Sequence, residues 1–198
     1  HWMADRECGR SFVHRRERYL YKARLAKVGE FPWMVSLHIT KKNKRAFCGG
    51  SLIKRNIVLT AAHCMRGFLR GYAAAGFLDQ KKRGSHYQRR KIETIVCYKD
   101  DCGSRRDIAL IKLASPFNIT KSEKLIGTVC LPRMNRALGR EVTITGWGLT
   151  SPNIGSQSSR LLAITVPVRD NNFCAGFYPR LFNPKIMFCA GIHGKKQG

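Results

Sequence analysis

Beyond residue 28 the chain falls into short runs where apolar and β-branched residues dominate or alternate with polar ones. Gly, Asn, Lys and Arg clusters separate them. Such runs predict strands. The first set is WMVSLHI (33–39), FCGGSLIK (47–54), NIVLTAA (56–62), KIETIVCY (91–98) and DIALIKL (107–113). The second is EVTITGWG (141–148), RLLAITVPV (160–168) and KIMFCAG (185–191), with SPNIGSQSS (151–159) as a polar loop inside it. RDNNFCAGF (169–177) predicts a short helix with Asp170 or Asn171 as N-cap. ASPFNIT and TVCLPRMNR, within 114–136, read as a connection between two β units. Residues 1–28 are basic and poor in alternation, and read as a tail or connecting segment. Many short strands with few helices predict an all-β chain, built as barrels or a sandwich.

Composition narrows the class. A chain of 198 residues can hold one large β domain or two small ones around a real core. Hydrophobic residues make up 43%, which favours a folded chain over disorder. No run approaches the roughly 18 apolar residues of a membrane span. The chain opens His1-Trp2-Met3, with no initiator methionine and no signal peptide, which reads as a mature form or a fragment. Eight dispersed cysteines, none in a CxxC pair, point away from a zinc ribbon or thioredoxin-like site and toward disulfides, hence secretion to the extracellular space. No metal or cofactor is expected.

The formal net charge is +25. The cations cluster in HRRERYLYKARLAK (14–27), KKNKR (41–45) and KKRGSHYQRRK (81–91). Such clusters attract polyanions such as sulfated glycans, and Lys81, Lys82, Arg83, Arg89 and Arg90 are the candidate contacts. The plainer alternative is a solvated basic face. No helix-turn-helix, zinc finger or aromatic RNA-binding motif is present, so sequence-specific nucleic-acid binding is not expected.

Two residues carry candidate chemistry. His63 follows an apolar strand in LTAAHC, and Asp107 opens the strand of RRDIALIKL. Alone, each is more often structural. Together, a buried carboxylate would orient the imidazole and stabilise its cation during proton transfer.

GEFPWMVSL, FCGGSLI, VLTAAHC, DIALIKL, VCLP, TGWG and MFCAG, in this order over roughly residues 29–191, resemble the trypsin/chymotrypsin-like serine protease family. The resemblance implies two perpendicular six-stranded β-barrels with the active site in the cleft between them. It implies peptide or protein substrates, His63 as general base and acid, and Asp107 as its orienting partner. Its domain reading is a basic, propeptide-like segment over 1–28 and a protease domain over 29–198. The first barrel would span about 29–115 and a partial second barrel about 130–198. It also implies the disulfides Cys48–Cys64 and Cys174–Cys189, and a tether from Cys8, in ECGRS, to Cys130. Cys97 and Cys102 remain; they could close a small loop before Asp107 or stay as free thiols. Asn118-Ile119-Thr120 is a glycosylation sequon in the inter-barrel connection.

The sequence departs from the family pattern in three places. In the family, the segment after FCAG leads to GDSGGP, whose serine is the nucleophile and whose backbone N–H groups form the oxyanion hole. Here the last residues are MFCAGIHGKKQG. Near Leu20-Tyr21-Lys22-Ala23, where the resemblance places an IVGG-like activated N-terminus, the chain reads LYKA. Val142 stands where many relatives carry a cysteine. The expectation is a double barrel with its second barrel incomplete, in one of two guises. One is a serine endopeptidase truncated before its nucleophile and so inactive as given. The other is a non-catalytic homologue that binds a protein or polyanion.

Overall fold

The structure is a computed structural model. It describes residues 8–13, 23–42, 44–103, 106–133, 138–148 and 158–192. Leu20, Tyr21 and Lys22 of LYKA, most of SPNIGSQSS, Asn43 of KKNKR, residues 14–22 of the first basic cluster and residues 193–198 lie outside them.

The elements run β1 (Arg24–Leu25), β2 (Met34–Lys41), β3 (Lys44–Lys54), β4 (Ile57–Thr60), α1 (Ala62–Met65), β5 (Phe68–Ala75), β6 (Gln88–Cys97), β7 (Ala109–Leu113), β8 (Glu141–Gly146), β9 (Leu162–Arg169), α2 (Asn171–Phe177) and β10 (Cys189–Ala190). The chain divides into two compact units. Residues 1–14 and 27–131 form one, and residues 15–26 and 132–198 the other.

In the first unit, β2 to β7 close a barrel in the order β2-β3-β4-β7-β6-β5. Every neighbouring pair is antiparallel. Alternation decides which face is inside. Ala109, Ile111 and Leu113 of β7 are buried while Leu110 and Lys112 are exposed. Val35, Leu37 and Ile39 from β2 join Leu52, Val58, Ala73, Ala75 and Ile92 in one core. Closure leaves these strands no unpaired edge.

The second unit is an open sheet organised on β9. β8 pairs along Leu162–Pro167, β1 pairs at Leu162–Ala163, and β10 at Val168–Arg169. Arg24–Leu25, inside the stretch that reads as a tail, is therefore a strand: Arg24 lies opposite Ala163 and Leu25 opposite Leu162. A two-residue strand is too short to show alternation, so its pairing comes from β9 alone.

Three elements differ from the pattern. β5 gives no strand signal, because FLRGYAAA carries Gly71 and three alanines. It forms because β2 and β6 flank it on both edges. Gly71 is required there by close approach: a Cβ would sit 2.5 Å from the His38 carbonyl oxygen. NIVLTAA stops as a strand at Thr60 and turns into α1. KIMFCAG narrows to Cys189–Ala190, because the N–H groups of Lys185, Ile186 and Met187 bond back to Asn183 in a turn. The helix at 171–177 starts at the N-cap Asp170, whose side chain accepts from the Asn172 N–H at 2.8 Å.

Gly71→Ala is expected to lower stability by about 1–3 kcal/mol in chemical unfolding, through the collision with the β2 backbone. Gly49→Ala, in β3 with nothing within 4 Å of the added methyl, is expected to be neutral or to gain about 0.5 kcal/mol. Equal losses from the two would show that the β2–β5 approach is not the constraint.

Candidate active site

His63 and Asp107 are 44 residues apart and meet because two barrel strands pair. Thr60, the last residue of β4, lies opposite Ala109, the first of β7. The chain leaves β4 into α1, which carries His63 in its single turn. Asp107 stands two residues before β7, so it arrives beside that turn. Its Oδ2 lies 2.6 Å from His63 Nδ1, and its Oδ1 accepts from the His63 backbone N–H at 2.8 Å. The carboxylate therefore holds both the ring and the backbone that carries it. Ala62, which no sequence signal singles out, supplies a further backbone N–H to the same carboxylate.

Asp107 as an anion can only accept, so the Nδ1 proton lies on the shared bond and Nε2 keeps its lone pair. That tautomer makes Nε2 a proton acceptor. It stands 3.6 Å from Cys64 Sγ. Cys48, His63 and Cys64 cluster closely enough to resemble a metal site. The two sulfurs are joined to each other, however, so no thiolate ligand exists there.

The carboxylate differs from the buried group the sequence suggests. The side chains of His63 and Asp107 are 65% and 47% exposed. Such exposure screens the pair, and its contribution to stability is small. Desolvation pushes the Asp107 carboxyl up, but the His63 side-chain and backbone hydrogen bonds, the His63 charge and the Ala62 N–H outweigh it. The carboxyl is held below its ordinary 3.8.

Disulfides brace the site on both sides. Cys48–Cys64 ties the α1 turn to β3, and Cys97–Cys102 closes the segment between β6 and Asp107. Cys8–Cys130 lies in the first unit and Cys174–Cys189 in the second, where it links α2 to β10. The described cysteines include no free thiol.

The Trypsin family model matches residues 22–198. The chain belongs to the trypsin family. It is 33% identical over 181 residues to vitamin K-dependent protein C of Mus musculus, covering 86% of this chain and 38% of that protein. It is 32% identical over 172 residues to coagulation factor XI of Bos taurus, covering 82% and 27%. The chain thus spans less than half the length of either relative. A solved chain described as "Structure of GrC" shares the fold, with a TM-score of 0.77 at 24% identity over 86% of this chain and 74% of that one. The fold is the all-β, double-barrel fold of trypsin-like proteases, with the second barrel incomplete.

Elsewhere in this trypsin-family domain the basic candidates separate. Lys81 and Lys82 are exposed in the turn around Asp79. Arg83 bonds the Gln80 carbonyl and the Tyr87 hydroxyl and lies over the Tyr87 ring. Alternation along β6 sends Arg89 and Arg90 to opposite faces. Arg90 donates to the Pro116 carbonyl and to Gln88 and covers Phe117, so it staples β6 to the following loop. Arg90 thus faces away from Arg89, so the five do not all share one face. Asn118 is exposed.

The Asp107 carboxyl is expected to titrate below 3.8 by carbon-detected NMR, and to move up in His63→Ala as the ring's hydrogen bond and charge are removed. The sign follows: any stability this group contributes is present above the ordinary carboxylate range and is lost as pH falls through its lowered value. An unchanged midpoint in His63→Ala would show that the ring does not hold the carboxylate.

Proposed function

We propose that this chain is the His- and Asp-bearing part of a secreted trypsin-like serine endopeptidase, acting on peptide bonds of protein substrates. The observation that carries the reading is the two-point grip of Asp107 on His63, from Oδ2 to Nδ1 and from Oδ1 to the backbone N–H. That grip leaves Nε2 free to take a proton from a hydroxyl as it attacks a carbonyl carbon and to return it to the departing amine. Asp107, anionic throughout, balances the imidazolium in between. Membership of the trypsin family supports the reaction class. Cysteines joined as disulfides support an oxidising, extracellular compartment, and the exposed Asn118 sequon is the candidate glycosylation site there.

Among the described residues no serine or threonine hydroxyl is bonded to His63 Nε2. The 198-residue polypeptide is therefore expected to give no covalent adduct with a fluorophosphonate probe. A polypeptide that also carries a GDSGGP-type serine segment after Gly198, taken from the transcript, is expected to label, and to lose labelling in His63→Ala. A transcript that replaces that serine, or an extended chain that never labels, would favour the alternative of a non-catalytic homologue that binds a protein or polyanion partner. Labelling of the 198-residue chain itself would mean that the nucleophile lies elsewhere.

A further inference from the structure

The four bridges close loops of very different length. Their sequence separations are 5 for Cys97–Cys102, 15 for Cys174–Cys189, 16 for Cys48–Cys64 and 122 for Cys8–Cys130. On chain-entropy grounds the shortest closure restricts the unfolded chain least. Nor does it hold the barrel shut. Cys97 ends β6 opposite Ala109 of β7, so strand pairing secures it with or without the bridge. What the bridge fixes is the approach to Asp107. With it, the chain entering Asp107 is anchored at Cys102, five residues upstream. Without it, the nearest covalent or strand anchor upstream is Cys97, ten residues away. Arg66 Nη2 donates to the Gly103 carbonyl between them, at a long 3.5 Å.

The enclosed turn is strained. Lys99 and Asp100 stand in succession in the left-handed region, with φ of 51° and 57°. Aspartate tolerates that region; lysine adopts it at a cost. The two sulfurs also differ in access. Cys97 is 5% exposed and belongs to the barrel core, whereas Cys102 is half-buried at the edge of that core. A bridge that is strained, reachable at one sulfur and of small weight in global stability has the character of a labile bridge.

We propose that Cys97–Cys102 is a site of reversible thiol–disulfide exchange with a dithiol, and that its opening loosens the hold of Asp107 on His63. A thiolate of the dithiol attacks Cys102 Sγ, the reachable sulfur. The S–S bond breaks, and Cys97 leaves as a thiolate and takes up a proton. The second thiol of the dithiol then attacks the mixed disulfide and releases Cys102. The dithiol ends as a disulfide, oxidised by two electrons, and the bridge ends as two thiols. Loop length alone then gives the segment that carries Asp107 about twofold more freedom. Both states keep the β6–β7 ladder, so the change is confined to the dyad. The inference rests on the geometry of the dyad and not on the endopeptidase reading. Its readouts need neither a nucleophile nor hydrolysis, so either can fail without the other.

The test takes the 198-residue chain through dithiothreitol buffers of graded oxidised-to-reduced ratio. Acid quench, alkylation of thiols in denaturant and peptide mapping follow. Cys97 and Cys102 are expected to be released at a ratio about tenfold more oxidising than Cys48 and Cys64. Lys99→Asn, which suits the left-handed region, is expected to narrow that gap by about threefold or more. The monothiol glutathione is expected to leave its mixed disulfide on Cys102. In the opened chain the Asp107 carboxyl is expected to titrate closer to 3.8, and to return to its lowered position on reoxidation. Cys97→Ala with Cys102→Ser is expected to show the raised midpoint with or without reductant, and thermal unfolding checks that it is folded. Cys8→Ser with Cys130→Ser removes the bridge that is exposed at Cys130 and is expected to leave the midpoint unchanged. Release of all four bridges at one ratio, an unchanged gap in Lys99→Asn, or a mixed disulfide on Cys97 would each overturn the exchange site. An Asp107 midpoint that stays put on opening, loss of cooperative unfolding on opening, or an equal response to losing Cys8–Cys130 would overturn its link to the dyad.

Discussion

The pairing of β4 with β7 is the constraint on which the dyad depends. Val58 lies opposite Ile111, and both side chains are fully buried. A slip of one residue would turn either of them out of the core and flip every side chain of that strand. The buried pair therefore sets the register, and the register sets Thr60 against Ala109. From those two positions the chain needs only three residues forward and two back to bring His63 and Asp107 together. The hydrophobic effect, which has no direction of its own, thus places a directional 2.6 Å bond.

Covalent bracing acts where that register ends. Cys64 follows His63 directly and is tied to β3, while Cys97–Cys102 shortens the path into Asp107. On chain-entropy grounds a closure of 16 residues restricts the unfolded chain by about 3 kcal/mol. The 122-residue closure of Cys8–Cys130 restricts it by about 5 kcal/mol. The longer tether thus adds more to the stability of the first unit, and the shorter ones localise the site.

A chain with 37 basic and 12 acidic residues must also place its cations without tearing the fold apart. Several guanidinium groups are absorbed locally against rings: Arg83 on Tyr87, Arg90 on Phe117, Arg106 on Tyr98 and Arg169 on Phe173. These stacks stabilise turns and strand ends. Arg45, Arg70 and Lys91 are different: all three are exposed, and among the described residues none of them lies over a ring.

Much of this was legible in the sequence. Runs with clear alternation, such as DIALIKL, marked their own strands and buried faces, and Asp170 marked its helix start, because those signals lie within a few residues of one another. His63 and Asp107 stood out through the motifs around them. The strand character of FLRGYAAA was not legible, because glycine and alanine carry no β preference and only the neighbours on either edge make β5 a strand. Nor was the exposure of Asp107, since burial depends on what packs over a residue. The 81–91 cluster looked like one basic surface because proximity in sequence resembles proximity in space. Alternation along β6 separates Arg89 from Arg90, while barrel closure gathers Arg45, Arg70, Arg89 and Lys91 from three strands around His38 and Tyr72. Local pattern determined which segments are strands and which residues carry chemistry. Strand register, which is a property of pairs of distant segments, decided which of those residues meet.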